Sequence, residues 1–243
     1  MKVMAPFNAR GFKLVHSYRT HFPRDEYPIS ENGMWLNGRK DAFDWADVIT
    51  KNGVCYGEVS GYRYGGVAER RVGQGNLPVG AATVGDYDDP TAVLVGVWGR
   101  NQHVTAKVFS RNPTDKYFHE IELRLRCTMR PHYCSGYEVF FRPLKTEKAY
   151  AEICRWNGDF NNGLFWTSLT RHEGPQYGVK DGDVVEATVE GNVIKGFING
   201  VEVTSAKDDV LTSGAPGIGF NFGVGYTNAD VGVTSFEVDT YDD

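Results

Sequence analysis

The sequence lacks several motifs that would assign a function directly. It contains no C-x-x-C pair, no G-x-S-x-G nucleophile motif and no glycine-rich phosphate or dinucleotide loop. Zinc fingers, serine hydrolases of the G-x-S-x-G type and nucleotide-dependent enzymes are therefore not indicated. No apolar stretch reaches the length of about 18 residues that a membrane span needs, so no membrane association is predicted.

Positive charge is also in short supply. The 243 residues include 26 Lys and Arg against 31 Asp and Glu, which gives a formal charge of −5. A chain with this balance is not drawn to nucleic acid phosphates or to an anionic membrane surface. Neither is predicted as a partner.

The N-terminal residues MKVMAPF lack the apolar segment of a signal peptide. This predicts either a cytoplasmic protein or one from which a signal peptide has been removed. A secreted or periplasmic location is favoured in the second case.

Cysteine is scarce, and its four positions show no metal-finger spacing. Buried free thiols on strands are the prediction for Cys55, Cys127, Cys134 and Cys154. A Cys127–Cys134 disulfide is the alternative if the protein is exported, although sequence alone does not fix which cysteines pair.

Glycine and aromatic residues, by contrast, are abundant, with 29 Gly, 13 Tyr and 14 Phe, and no long stretch has a helical period. This composition favours many short strands joined by tight turns. The sequence therefore predicts one all-β domain over residues 1–243, since β-sandwiches of this length often form a single unit.

The clearest local pattern lies between residues 181 and 220. Asn199-Gly200 separates two apolar runs, and Asn-Gly in this position is a strong hairpin signal. Three antiparallel strands in a meander are predicted at residues 184–189, 193–198 and 201–204.

The same stretch resembles the C-terminal half of the concanavalin A-like lectin/glucanase superfamily, where GD-x-V-x-A-x-V-x-G-x-x-I-x-x-x-x-NG precedes SG-x-PGIGF. The matching positions here are Gly182-Asp183, Val185, Ala187, Val189, Gly191, Ile194, Asn199-Gly200, Ser213-Gly214 and Pro216-Gly217-Ile218-Gly219-Phe220. The resemblance implies a LamG-like jelly roll, a β-sandwich of two antiparallel sheets. Turn geometry or close backbone approach is expected to require Gly191, Gly200 and Gly217.

Two upstream segments extend the resemblance, PISENGMW at residues 28–35 and YDDPTAVL at residues 87–94. In such sandwiches the first and last strands lie side by side, which is expected here of residues 12–22 and 233–241. Trp35 and Trp45 are predicted as core or loop-pinning aromatics.

Residues 61–86 depart from that pattern as a glycine-rich insertion. Long loops in compact domains are often functional. With Arg63, Tyr64, Arg70 and Arg71, this loop brings cations and aromatics that suit carbohydrate or carboxylate recognition, although a solvated loop is an equal alternative.

Apolar and charged residues alternate in the segment YFHEIELRLRCTM at residues 117–129. Alternate side chains of a strand point to opposite faces. The face predicted to enter the core carries Ile121, Leu123, Leu125 and Cys127. The face predicted to line the outer, concave side of the sheet carries Glu120, Glu122, Arg124 and Arg126.

Neighbouring strands are predicted to continue this charged groove, although a slip of one residue would reverse either assignment. Residues 136–142 would add Glu138 and Arg142, and residues 149–156 would add Glu152 and Trp156. The predicted substrate-binding residues are Arg124, Arg126, Arg142, Arg155, Glu152, Trp156, Arg63, Tyr64 and Arg71.

Two interpretations of the groove are a charge ladder that only stabilises the sheet, and a polysaccharide lyase. In β-elimination the arginines would neutralise a uronate carboxylate while a His or Tyr moves the proton. The candidates for that role are His132, Tyr133, His172 and Tyr177. The R-x-E-x-R and Q-I-H signatures of alginate-lyase-like members are missing.

A third interpretation is glycoside hydrolysis. Retaining enzymes need two carboxyls about 5–5.5 Å apart, which Glu122 and Glu138 on adjacent strands would supply. The E-x-D-x-x-E signature of laminarinase-like members is missing, however. The nearby arginines are also predicted to hold the pKa values of Glu122 and Glu138 low. A carboxyl group with a low pKa is ionised and is poorly suited to act as the acid.

A fourth interpretation is glycan binding without catalysis. Aromatic rings would stack on sugars while polar side chains bond to hydroxyls. The aromatic candidates are Trp156, Trp166, Phe160 and Tyr64.

A structural Ca²⁺ is an open expectation, because many members of this superfamily carry one near the first and last strands. Acidic residues near those ends are Asp25, Glu26, Asp239, Asp242 and Asp243. No loop has D-x-D-x-D spacing, so no metal ligands are assigned and no cofactor is predicted as required.

Together these patterns predict a monomeric carbohydrate-active protein that binds an extended, acidic polysaccharide or oligosaccharide across the concave sheet. Cleavage by β-elimination is favoured, and hydrolysis by paired Glu residues and binding alone are the alternatives.

Overall fold

The computed structural model describes residues 13–38, 40–41, 45–57, 89–116, 118–159, 165–221 and 228–242, which form two antiparallel sheets. Strands are numbered along the chain. The front sheet consists, from edge to edge, of β10 (Trp166–Glu173), β9 (Tyr150–Asp159), β8 (Tyr133–Phe141), β7 (Glu120–Arg130), β14 (Ala215–Asn221), β5 (Thr91–Leu94) and β2 (Trp35–Asn37).

The back sheet is of similar width. It consists, from edge to edge, of β13 (Val201–Lys207), β12 (Val193–Ile198), β11 (Val184–Glu190), β6 (Asn101–Ser110), β15 (Val231–Asp242), β4 (Val54–Gly57) and β3 (Val48–Lys51). An eighth strand, β1 (Lys13–Thr20), also pairs with β15. Helical structure in the described residues is limited to two 3₁₀ turns, Pro175–Tyr177 and Asn228–Asp230, neither of which has the length or apolar character to cross a bilayer. The all-β prediction is confirmed.

The core lies between the two sheets, where the inner faces of both meet. From the front sheet it receives Ile121, Leu123, Leu125, Tyr137, Val139, Phe141, Ala151 and Ile153. From the back sheet it receives Val104, Ala106, Val185, Ala187, Val189, Ile194, Phe236 and Val238. Period-two alternation thus correctly predicted the inner faces of β8 and β9.

The predicted meander is present as β11, β12 and β13. Asn199 and Gly200 have φ values of 51° and 78°, as a tight hairpin turn of the I′ type requires. Gly191 has φ 57°, and a Cβ on Gly217 would lie 2.5 Å from the Ala92 carbonyl oxygen. The reasons expected for these glycines are confirmed.

The first and last strands pair as predicted, with Thr20 opposite Phe236 and Lys13 opposite Asp242. The two tryptophans are also buried as predicted. Trp35 is in the core between the sheets, whereas Trp45 packs on the outer side of the front sheet.

One predicted face is wrong. Cys127 does not follow Leu125 into the core but packs on the outer side of the front sheet. The cause is a β-bulge in β7, where Arg126 has φ 50° and the pairing with β8 shifts between Leu125 and Thr128. The extra residue of a bulge reverses the alternation beyond it.

Candidate functional site

The outer face of the front sheet carries the predicted charged residues, but it is buried. Arg124 on β7 lies directly opposite Glu138 on β8. Glu122 and Arg124 are each 1% exposed and Glu138 is 4% exposed. The prediction that Glu122 and Glu138 lie on adjacent strands is confirmed. Their side chains are buried in the protein and do not form a solvent-exposed row of charges.

Arg124 binds three carboxylates. Its guanidinium nitrogens lie 2.6 Å from Glu122 Oε2, 2.8 Å from Glu138 Oε2 and 3.5 Å from Asp89 Oδ2. One oxygen from each of the three acids lies within 4.8 Å of the other two. We call Asp89, Glu122, Arg124 and Glu138 the Arg124 cluster.

Aromatic rings surround this cluster. The Trp156 indole N–H donates a 2.6 Å hydrogen bond to Glu138 Oε2. The guanidinium of Arg124 lies 5.2 Å from the ring centroid of Trp45 and 5.7 Å from that of Trp156. Trp45 and Trp156 meet edge to face, and Phe165 stacks on Trp156. The rings hold the charges in a low-dielectric environment, which strengthens both their attraction and the cost of an unpaired charge.

The acids of the cluster are harder to ionise than free carboxylic acids. Burial raises the pKa of Glu138 to about 7, although Arg124 opposes the rise. Burial, together with the charges of Asp89 and Glu138, raises the pKa of Glu122 well above its usual value. The prediction that arginines hold these pKa values low is therefore wrong, because loss of hydration outweighs the attraction of one shared guanidinium.

A second group of polar residues lies on the same face. The Tyr150 hydroxyl donates to Glu120, whose pKa burial raises to about 8. The Tyr150 ring is flanked by the guanidinium of Arg171 at 3.9 Å and that of Arg142 at 5.5 Å. Glu152 accepts from Arg171 at 2.8 Å. The predicted placements of Glu138, Glu152 and Trp156 on this face are confirmed.

Two predicted groove arginines lie elsewhere. The Arg126 guanidinium donates to the backbone carbonyls of Arg100 and Leu211, because the bulge turns its side chain towards these loops. Arg155 shares the inner face of β9 with Ile153 and forms an ion pair with Asp208 beyond β13. The prediction that both line the groove is wrong.

The predicted acid and base candidates do not join the Arg124 cluster. His132 is exposed in the turn between β7 and β8. Tyr133 has the strand parity of the inward-facing Tyr137 and lies beneath the Arg130 guanidinium at 4.0 Å. His172 is opposite the core residue Ala151, and its ring stacks on Tyr177. The lyase arrangement predicted for these residues is thus not assembled on the outer face.

Several predicted residues lie outside the described part of the chain. These are Arg63, Tyr64, Arg70, Arg71, Phe160 and Asp243. Trp166, which the structure does describe, is half-buried at the edge of the outer-face aromatic layer.

The four described acidic residues among those suggested for Ca²⁺ accept hydrogen bonds from protein donors. Asp239 binds Arg19, Asp25 accepts from the Asn52 amide, and Asp242 accepts from the Arg100 amide. Glu26 accepts from two amides in the following turn. Within the described residues, the three carboxylates near enough to share a cation belong to the Arg124 cluster, where Arg124 already supplies the positive charge.

Sequence reasoning missed Asp89 and Gly219. Asp89 lies in the YDDPTAVL segment, whose pattern indicates the fold but assigns no chemical role to its acidic residues. Gly219 on β14 is opposite Glu122, and a Cβ there would lie 2.2 Å from Glu122 Oε2 and 2.8 Å from Arg124 Nε. Both β7 side chains therefore lean across β14 because residue 219 has no side chain.

Replacement of Gly219 by alanine is expected to lower the free energy of unfolding by about 1–3 kcal/mol through overpacking. Urea denaturation measures the loss. The double variant Gly219→Ala/Glu122→Ala tests the cause, because removing the Glu122 carboxylate relieves part of the overlap. The combined loss should fall short of the sum by at least about 0.5 kcal/mol, and simple additivity would contradict this placement.

No protein-family model and no curated protein sequence matches the chain. Among solved structures, the κ-carrageenase of Pseudoalteromonas carrageenovora, in complex with a κ-carrageenan oligosaccharide, aligns with a TM-score of 0.54 at 10% identity over 98% of this chain and 99% of that chain. The carbohydrate-binding module CBM66 from Bacillus subtilis aligns at 0.51, with 12% identity over 89% and 98% of the two chains.

The Bacillus licheniformis β-glucanase aligns at 0.50, with 10% identity over 93% of this chain and 98% of that chain. Identities this low show the fold, and they support the two-sheet architecture derived above. The protein has the concanavalin A-like jelly-roll fold that the motifs at residues 181–220 indicate.

Proposed function

We propose that the protein binds a carbohydrate chain over the outer face of the front sheet and hydrolyses it with the Arg124 cluster. The observation that carries this proposal is the Glu122 and Glu138 pair, whose carboxyl oxygens lie within 4.8 Å of each other and whose pKa values are both raised. The three structural likenesses, two polysaccharide-degrading enzymes by name and one carbohydrate-binding module, support a carbohydrate as the ligand.

The surroundings assign different roles to the two acids. Glu138 accepts one hydrogen bond from the Trp156 indole N–H and forms an ion pair with Arg124, and both contacts favour its charged form. Glu122 faces Asp89 and Glu138 as well as Arg124, and these negative neighbours favour its protonated form. Glu122 is then the acid that donates a proton to the leaving oxygen. Glu138 is the nucleophile, whose carboxylate bonds to the sugar carbon as that oxygen leaves. Their separation fits a retaining mechanism, in which the carboxyls stand about 5–5.5 Å apart.

Hydrolysis is better supported than β-elimination. A lyase needs a cation for the uronate carboxylate and a His or Tyr beside it. The outer-face arginines of the described residues are engaged by protein acceptors, Arg124 by three carboxylates and Arg171 by Glu152. His132, Tyr133 and His172 lie away from this cluster.

A second candidate function is binding without cleavage. The observation that favours it is burial, since Glu122 and Arg124 are 1% exposed. A bound glycan would then contact the aromatic edge of the face, including the half-buried Trp166, while the cluster only stabilises the sheet beneath it.

Incubation with a panel of neutral and acidic polysaccharides, with release of reducing ends as the measurement, separates these functions. Wild-type protein is expected to release reducing ends from one glycan class. Glu122→Gln is expected to lower the rate by about 100-fold, the usual contribution of a positioned acid, and Glu138→Gln by at least as much, because an amide cannot act as the nucleophile. Glu147→Gln, at an exposed loop position, is the matched control and should keep full activity.

The remaining outcomes decide against hydrolysis. Retention on a glycan without new reducing ends would leave the binding function. New reducing ends with a rise in absorbance at about 235 nm, where unsaturated uronates absorb, would restore β-elimination. If the protein neither cleaves nor is retained on any of the glycans, the carbohydrate proposal is overturned.

A further inference from the structure

Two buried thiols lie close together beside the Arg124 cluster. Cys127 on β7 and Cys134 on β8 have their sulfur atoms 3.9 Å apart. Both are free thiols, 3% and 0% exposed, on strands joined by a two-residue turn. Neither takes part in the proposed hydrolysis.

The β7 bulge creates this proximity. Regular alternation would place Cys127 in the core, but the bulge at Arg126 turns it to the outer side, where Cys134 also lies. Gly136 allows the close approach, because a Cβ there would lie 3.0 Å from the Cys127 Cα and 3.3 Å from its sulfur. Bulge and glycine together leave the two sulfurs facing each other.

We propose that Cys127 and Cys134 form a disulfide bond with each other under oxidising conditions. The oxidant is a small-molecule disulfide such as oxidised glutathione. The Cys127 thiolate attacks one sulfur of that disulfide and releases one glutathione thiolate. The Cys134 thiolate then attacks the Cys127 sulfur and releases the second, so that two electrons pass from the protein thiols to the glutathione disulfide.

The geometry favours this pair over other pairings. A disulfide has an S–S distance of about 2.05 Å, so the sulfurs must approach by roughly 2 Å, within reach of side-chain rotation on neighbouring strands. Because both thiols are buried, the oxidant reaches them while the β7–β8 hairpin is locally and transiently unfolded.

The test is a thiol count after the wild-type protein folds in glutathione buffers of increasing oxidation. Without reductant and after denaturation, two of the four thiols are expected to react, and the chain mass should fall by about 2 Da. Peptide mapping should join residues 127 and 134. Four reactive thiols in every buffer, or a bond that involves Cys55 or Cys154, would overturn the proposal.

Two variants provide controls that do not depend on catalysis. Cys154→Ser should still lose about 2 Da on oxidation, whereas Gly136→Ala, which crowds the Cys127 sulfur, should form less disulfide under the same conditions. The oxidised wild-type protein should melt about 5–10 °C higher than the reduced protein. The Cys127→Ser/Cys134→Ser double variant should show no such difference.

Discussion

Replacement of Arg124 by methionine is expected to lower the free energy of unfolding at pH 8 by about 3–5 kcal/mol, the usual cost of removing one partner from a buried charge network. Methionine fills the aliphatic volume but leaves Asp89, Glu122 and Glu138 without the guanidinium that joins them. Chemical denaturation measures the loss. It should be smaller at pH 5, because protons can then neutralise the carboxylates.

The matched control is Arg100→Met, because the Arg100 side chain is exposed and its backbone contacts are unchanged by the substitution. Its effect should stay within about 0.5 kcal/mol. Adding Glu122→Gln and Glu138→Gln to Arg124→Met should recover part of the stability at pH 8, since neutral amides need no counter-charge. A loss below about 1 kcal/mol for Arg124→Met, equal at both pH values, would contradict the structural role of this residue.

Stability is expected to fall as pH rises from about 5 to about 8, a window set by Glu120 and Glu138. Burial raises the pKa of Glu120 from 4.5 to about 8, against the hydrogen bond from Tyr150, which lowers it, and with smaller rises from the neighbouring carboxylates. Between these values the folded chain holds a proton that the unfolded chain releases. The stabilising contribution is therefore complete below about pH 4.5 and is lost as pH rises through about 8.

The size of this effect follows from about 1.4 kcal/mol per pKa unit, which gives several kcal/mol for a fully buried group. Urea denaturation at pH 5, 6.5 and 8 measures it. Glu120→Gln keeps a hydrogen-bond acceptor for Tyr150 but cannot titrate, so its stability should depend less steeply on pH. Glu147→Gln, at an exposed position, should leave the slope unchanged. Equal slopes for all three proteins would rule out Glu120 as the source.

Much of the fold could be predicted because it depends on local rules. Asn199-Gly200 specifies a tight turn whatever its surroundings, since both residues tolerate positive φ. Alternation along residues 120–125 separates an inner from an outer face, since the strand period is two. The same rule correctly predicted that Glu138, Glu152 and Trp156 share the outer face.

Prediction failed where one residue changed the register. The bulge at Arg126 exchanges the faces of the residues after Leu125, and nothing in the segment RLRCTM marks it. The Cys127 side chain therefore packs beside Cys134 and not in the core, and the Arg126 side chain does not line the predicted groove. Bulges respond to the twist and contacts of neighbouring strands, which a single strand's pattern does not contain.

The sequence by itself thus determined the class of fold, the meander, the pairing of the first and last strands and the face that carries Glu122, Arg124 and Glu138. Only the tertiary structure decided that this face is buried, that Asp89 joins it from β5's N-terminal side, and that its acids have raised pKa values. The physical reason is that strand alternation is a local property, whereas hydration of a carboxylate depends on every segment packed around it, including Trp45 and Gly219 from distant parts of the chain.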